Sequence, residues 1–277
     1  MNPAELAAFG IAGNMTGHLE QAGEASDFAE VTTRADRPRG MFPIHLPEIE
    51  HRLGIWPFSS RWLVLPGEAV DVQPEPEVAL RCSLEYDAGG VCGIVPTAFA
   101  AADDTSLRRH APKIHHKKNW GPHTKGLAQP WLPLDRFDAS GALHHHRLGC
   151  WLIRDGSCSA YGEDSPVRTY GTCYAPLVGW MIDRLRHQRD EGPLDDLSAW
   201  IQRAGRPREA VICIGATRYT ELGQGTYVQP GDEVIVVVYD ERSHAPGTVG
   251  ERLARRVLLE GASVLRRRVV EAPPPGA

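Results

Sequence analysis

Two glutamates flank a proline at the start of an apolar run, in Gln73-Pro74-Glu75-Pro76-Glu77-Val78-Ala79-Leu80. On a strand, residues i and i+2 point to the same face. Two carboxylates so placed repel each other unless a cation lies between them, and hard divalent ions such as Mg2+ take oxygen ligands of this kind. Further along, Asp103-Asp104-Thr105-Ser106-Leu107-Arg108-Arg109 follows a second apolar run at 98–102. Its acidic pair offers a third metal ligand, and its arginines offer an anion-binding guanidinium. Taken alone, each segment has a plainer reading that carries more weight. The first is also an acidic strand start in solvent, and the second an Asp-capped helix N-terminus.

Residues 106–125 contain six Lys or Arg, four His and no acid. In a chain with net charge −5 this is local charge segregation. It fits steering of a small anion toward an acidic metal cluster, and equally a solvated basic loop. Nucleic acid is the weaker partner, because Trp120 is the one aromatic available for stacking. The run Val211-Ile212-Cys213-Ile214-Gly215-Ala216-Thr217 ends a buried strand in residues that can turn N–H and hydroxyl groups toward a ligand, or that simply turn. His18 lies on a Gly-flanked segment with Glu20 and Glu24 nearby, where it can act as a general base. A lone loop histidine is more often a surface residue. The tract His144-His145-His146 receives no role.

These residues need elements to hold them. From Trp62 onward, short apolar runs separated by Gly, Pro and Asp predict strands near 62–65, 78–84, 91–95, 148–153, 210–214 and 233–239. Asp87-Ala88-Gly89-Gly90 predicts a hairpin turn, and Pro230-Gly231-Asp232 launches the last of these strands. Leu177, Trp180, Met181 and Leu185 form a helical stripe ended by Gly192-Pro193. Further helices are predicted at 194–204 and 247–265, followed by a disordered tail, EAPPPGA. Residues 1–60 read as a loop-rich segment with short helical pieces that covers a scaffold. No internal repeat is visible.

The chain has 277 residues, with 28 glycines and 22 prolines, too many breakers for a coiled coil or helical array. With 30 basic and 35 acidic residues it is not a globally basic nucleic-acid binder. Apolar runs such as 234–238 are too short to span a bilayer, and the N-terminus lacks a secretory pattern. The six cysteines form no CxxC pair and read as reduced. A cytoplasmic enzyme or binding protein is expected, with no membrane or nucleic-acid partner.

The order of the motifs resembles the fumarylacetoacetate hydrolase superfamily over about residues 10–240. The matching segments are Asn14…His18, Glu75-Pro76-Glu77, Asp103-Asp104-Thr105-Ser106-Leu107-Arg108, Trp120…Lys125, Ala216-Thr217-Arg218 and Pro230-Gly231-Asp232-Glu233-Val234. FGIAGN, KKNWG, IGATRYT and GDEVIVVVYD resemble a bacterial branch of it. The resemblance implies an α+β, β-rich fold: a mixed β-sandwich roll with a few peripheral helices. It divides the chain into a cover segment (1–60), a catalytic domain (61–245) and a C-terminal helix with tail (246–277), and it implies a dimer.

By the same resemblance, Glu75, Glu77 and Asp104 ligate Mg2+ or Mn2+, leaving about three octahedral positions for water and a chelating substrate. Lys125 stabilises an oxyanion, while Arg108, Ser106 and Thr217 hold substrate oxygens. His18 activates water, with Glu20 or Glu24 orienting it. The implied reaction is C–C bond hydrolysis, decarboxylation, hydration or isomerisation of a small anionic 2-oxo acid or dicarbonyl through an enolate at the metal. The alternative is a non-catalytic module that binds a metabolite through the same metal. Four departures bear on the mechanism. Met15 replaces a Tyr, Asp103 an Asn, and Gln21 stands where a dyad glutamate is usual; the Trp120–Lys125 spacer is one residue longer. They leave the metal motif whole, weaken the water-activating dyad and tilt the expectation away from hydrolysis.

Overall fold

A computed structural model describes residues 5–29, 31, 34 and 37–273. Two sheets carry the fold. The larger has eight strands, in the order Gly40–His45, Leu6–Ala12, Glu209–Ala216, Pro76–Asp87, Gly90–Asp103, Lys125–Leu127 and Phe58–Ser59, with Leu132–Pro133 pairing beside Gly90–Asp103. The second has five, in the order Ser157–Pro166, His146–Arg154, Glu233–Asp240, Ser263–Val270 and Trp62–Val64. This is the strand-rich, mixed architecture with peripheral helices that the motif order implied.

Each strand follows from its residues. In Glu233–Asp240 the run Val-Ile-Val-Val-Val is buried on both faces. Val234, Val236 and Val238 face the main core, while Ile235, Val237 and Tyr239 pack on Val249, Leu253 and Leu259. A strand covered on both sides gains from a continuous β-branched run instead of an alternating one. The hairpin between Pro76–Asp87 and Gly90–Asp103 closes where predicted. Asp87 pairs with Gly90, the Asp87 carboxylate accepts the Gly89 N–H at 2.7 Å, and Gly90 takes φ +117°. The stripe of Leu177, Met181 and Leu185 is the buried face of the helix Tyr174–His187. The next helix starts at Leu197, not 194, because Asp196 caps it by accepting the Ala199 N–H.

Two expectations are corrected. Residues 1–60 are more than a cover: Leu6–Ala12 is a buried strand of the large sheet, parallel to Glu209–Ala216, and Gly40–His45 pairs with it. The small, Gly-containing sequence LAAFGIA disguised a strand buried on both faces. The helix expected at 247–265 is confined to Val249–Ala254, and Ser263–Val270 is a strand antiparallel to Glu233–Asp240. Its alternation was masked because Arg267 occupies an inward position. Of the expected tail, residues 274–277 lie outside those described. Among the described residues no helix is long and apolar enough to cross a membrane.

Candidate metal centre

The antiparallel pair Pro76–Asp87 and Gly90–Asp103 brings the two acidic motifs together, since Pro76 is opposite Asp103 and Glu77 opposite Ala102. Asp104 N–H donates to the Glu75 carbonyl at 2.8 Å, and the Asp103 carboxylate accepts the Glu75 N–H at 3.0 Å. Oxygens of Glu75, Glu77 and Asp104 then lie within 4.8 Å of one another, all buried. One Glu77 oxygen accepts the Gly215 N–H at 2.6 Å. Gly215 has φ +118°, and a Cβ there would fall 2.9 Å from that of Asn14, so both conformation and space call for glycine.

Cations surround this cluster. Lys118, on the four-residue helix His115–Lys118, reaches Glu75 at 2.6 Å and Asp104 at 2.7 Å. Lys125 bonds the other Asp104 oxygen at 2.7 Å and the Thr105 carbonyl. Arg108 lies 2.9 Å from Glu75. Burial opposes ionisation of Glu75, but Lys118 and Arg108 outweigh it and hold the carboxyl below its usual range. Burial likewise opposes the charge on Lys118, and the Asp104 and Glu75 carboxylates more than restore it. Burial, then repulsion from Asp104, pushes the Glu77 carboxyl well up. Beside the cluster is a cavity of about 20 Å3, lined by His18, Glu24, Glu75, Glu77 and Lys118 among others. That is room for roughly one water-sized species. The residues fit a hard divalent cation: three converging carboxylates, one of which, Glu77, is pushed toward its neutral form by burial and Asp104, and a pocket of ionic size.

The other predicted site residues are placed as follows. His18 is buried, with Nε2 4.0 Å from Glu75, its ring centroid 5.1 Å from that of Tyr219, and Nδ1 without a hydrogen-bond partner among the described residues. Burial lowers its pKa and keeps the imidazole neutral. Glu20 is exposed and outside the site, whereas Glu24 is buried against Arg108 at 2.7 Å and Lys117 at 2.9 Å. Gln21 clamps Tyr219, its amide oxygen accepting the Tyr219 N–H at 2.8 Å and its NH2 donating to the Tyr219 carbonyl at 3.2 Å. Thr217 directs its hydroxyl at the Glu163 carbonyl and the Ser165 hydroxyl, so it ties the end of Glu209–Ala216 to the end of Ser157–Pro166 and does not line the cavity. Ser106 is buried, its hydroxyl has no hydrogen-bond partner among the described residues, and it does not line the cavity. Lys125 is wholly buried behind Asp104, which leaves Lys118 as the ammonium facing the cavity.

Sequence reasoning missed Lys118, although it lies two residues before Trp120 in the basic run. A single-turn helix has no apolar stripe to reveal which of four neighbouring basic residues turns inward. It also missed Tyr219, whose hydroxyl accepts from Arg108 at 2.8 Å and donates to the Pro74 carbonyl at 2.9 Å. The basic run keeps little free charge: Arg108, Lys117, Lys118 and Lys125 are spent on buried acids, and Lys113 on Asp190 and two carbonyls.

Residues 24–269 match the sequence model of DUF5718, a family of unknown function. No curated protein matches the chain by sequence. Similar solved structures include Cg1458 with an inhibitor, at 16% identity and TM-score 0.56, covering 97% of this chain and 78% of that one. Another is a fumarylacetoacetate hydrolase family protein from Yersinia pestis CO92, at 12% identity and TM-score 0.51, covering 96% and 94%. A third is 2-keto-3-deoxy-D-arabinonate dehydratase complexed with magnesium and 2,5-dioxopentanoate, at 13% identity and TM-score 0.54, covering 96% and 73%. At these identities the likeness is one of fold.

Proposed function

Since the chain belongs to the DUF5718 family and has the fumarylacetoacetate-hydrolase fold, we propose that it is a divalent-metal-dependent enzyme acting on a small anionic 2-oxo acid or dicarbonyl. The observation that carries this is the convergence of Glu75, Glu77 and Asp104 beside an ion-sized cavity. These three would hold Mg2+ or Mn2+, which when bound supplies Lewis-acid polarisation of the substrate oxygens.

The chain's own groups supply the remaining chemistry. Lys118, kept in its charged form by Asp104 and Glu75 and lining the cavity, would stabilise negative charge growing on a substrate oxygen. Neutral His18, with Nδ1 unpartnered, accepts a proton from the substrate or from water. Lys125 fixes Asp104, and Arg108 fixes Glu75. Gln21 is engaged with Tyr219, and Glu20 faces solvent. His18 therefore has no orienting carboxylate on its own helix, which favours decarboxylation or isomerisation over hydrolysis.

The test is turnover of a panel of 2-oxo acids and acylpyruvates with Mn2+. At least one should react, with a rate that Lys118→Met and His18→Asn abolish. Binding of metal and 2-oxo acid without turnover across the panel would instead support a non-catalytic metabolite-binding module.

A further inference from the structure

Arg108 is held by fixed partners on all but one of its nitrogens. Nε donates to Gln73 at 2.6 Å, and Nη2 reaches Tyr219 at 2.8 Å and Glu75 at 2.9 Å. Among the described residues, Nη1 bonds only Glu24, at 2.7 Å. Lys117 joins the same Glu24 oxygen at 2.9 Å and keeps Asp27 at 3.1 Å as a second partner. The Glu24 carboxylate therefore occupies a two-cation seat whose cationic side is anchored elsewhere.

Glu24 is also the one residue common to the linings of the inner cavity and of an outer cleft of about 380 Å3. The cleft is walled by Arg108, Arg109, His110, Lys117, Ser26 and Asp27 among others. At about 20 Å3 the inner cavity is too small for an organic substrate. Any molecule reaching the carboxylate triad from this cleft must move Glu24. The backbone at this point is fixed, Gly23 N–H donating to the Glu20 carbonyl at 3.2 Å and Glu24 N–H to the Leu19 carbonyl at 2.9 Å. It is therefore the Glu24 side chain that must swing aside, past Gly23, where nothing lies within 4 Å of a would-be Cβ. Displacement exposes Arg108 Nη1 and Lys117. An unpaired buried guanidinium is costly, so the incoming molecule must supply the replacement anion.

Building on the metal-dependent reading above, we infer that Glu24 holds the place of a substrate's distal anionic group. The substrate carries a 2-oxo acid or dicarbonyl at one end, for the metal site, and a second carboxylate at the other, for Arg108 and Lys117. Because Arg108 also bonds Glu75, the two ends lie close enough to belong to one short molecule.

The probes are 2-oxoglutarate and 2-oxopentanoate, alike in length and differing in the second carboxylate. Each is titrated calorimetrically into the Mn2+-treated full chain and into Glu24→Gln and Lys117→Met. Removing the competing charge in Glu24→Gln should tighten 2-oxoglutarate about tenfold, the worth of one charge-assisted hydrogen bond, and leave 2-oxopentanoate unchanged. Lys117→Met should weaken 2-oxoglutarate about tenfold and spare 2-oxopentanoate. Equal effects on both ligands, or none on 2-oxoglutarate, overturn the inference. Mn2+ is titrated alone first: its failure to bind counts against the metal reading, while the same ligand pair added to metal-free protein still reports on the Arg108 seat.

Discussion

Asp103 and Arg267 form an ion pair 2.8 Å long with no solvent exposure on either side chain. Asp103 stands where related motifs carry Asn, and the charge it adds is met by an arginine from the last strand. Its other oxygen receives the Glu75 N–H. Arg267 also donates to Thr105 and to the carbonyls of Trp62 and His123. The pair thus ties the final strand of the small sheet to the backbone that presents Glu75.

Arg267→Met should be strongly destabilising, by about 3–5 kcal/mol, because it leaves a buried carboxylate unpaired. Asp103→Asn in the same chain should recover a large part of that loss. Denaturant midpoints of the single and double variants check this, and additive losses would show that the two residues do not act as a pair.

Lys118 neutralises two of the three carboxylates in the metal-free protein. Lys118→Met should lower the metal-free melting temperature and enlarge the rise produced by saturating Mg2+, since the ion then supplies charge the ammonium no longer does. Scanning calorimetry with and without Mg2+ measures both. An unchanged Mg2+ increment would place the ion elsewhere.

Metal affinity should rise with pH. Burial and then Asp104 raise the Glu77 carboxyl, so the metal-free protein retains a proton that an ion must expel. Raised pH removes that proton beforehand, so affinity climbs until Glu77 is ionised and then levels. Titrations in buffers of different ionisation enthalpy should report proton release on binding; proton uptake would reverse the sign of this account.

Glu20→Ala should leave stability within about 0.5 kcal/mol and metal binding untouched, because the side chain is exposed and outside the site. A large effect on turnover would show that the segment around His18 rearranges to bring Glu20 inward.

The carboxylate triad was legible through the order of the motifs, which resembles a known superfamily. Spacing alone left each acidic segment with a plainer reading, and only the pairing of the two strands brings the segments together. Lys118 was not, because one helical turn carries no periodic signal. Arg267 was not, because its partner is 164 residues away and a buried arginine breaks the alternation that would mark its strand. Leu6–Ala12 was hidden for a related reason: a small-residue strand buried on both faces has no period to read. The positions of Thr217, bonded to Glu163 and Ser165, and of Glu20, exposed to solvent, were not legible because a motif fixes which residue is present but not which way it points.

The most direct test of the metal centre is the electron paramagnetic resonance of Mn2+ titrated into the purified chain, compared with Glu77→Gln and Asp104→Asn. One saturable site per chain, lost in both variants, is the predicted result. Absence of saturable binding, or a site that survives both substitutions, would contradict it.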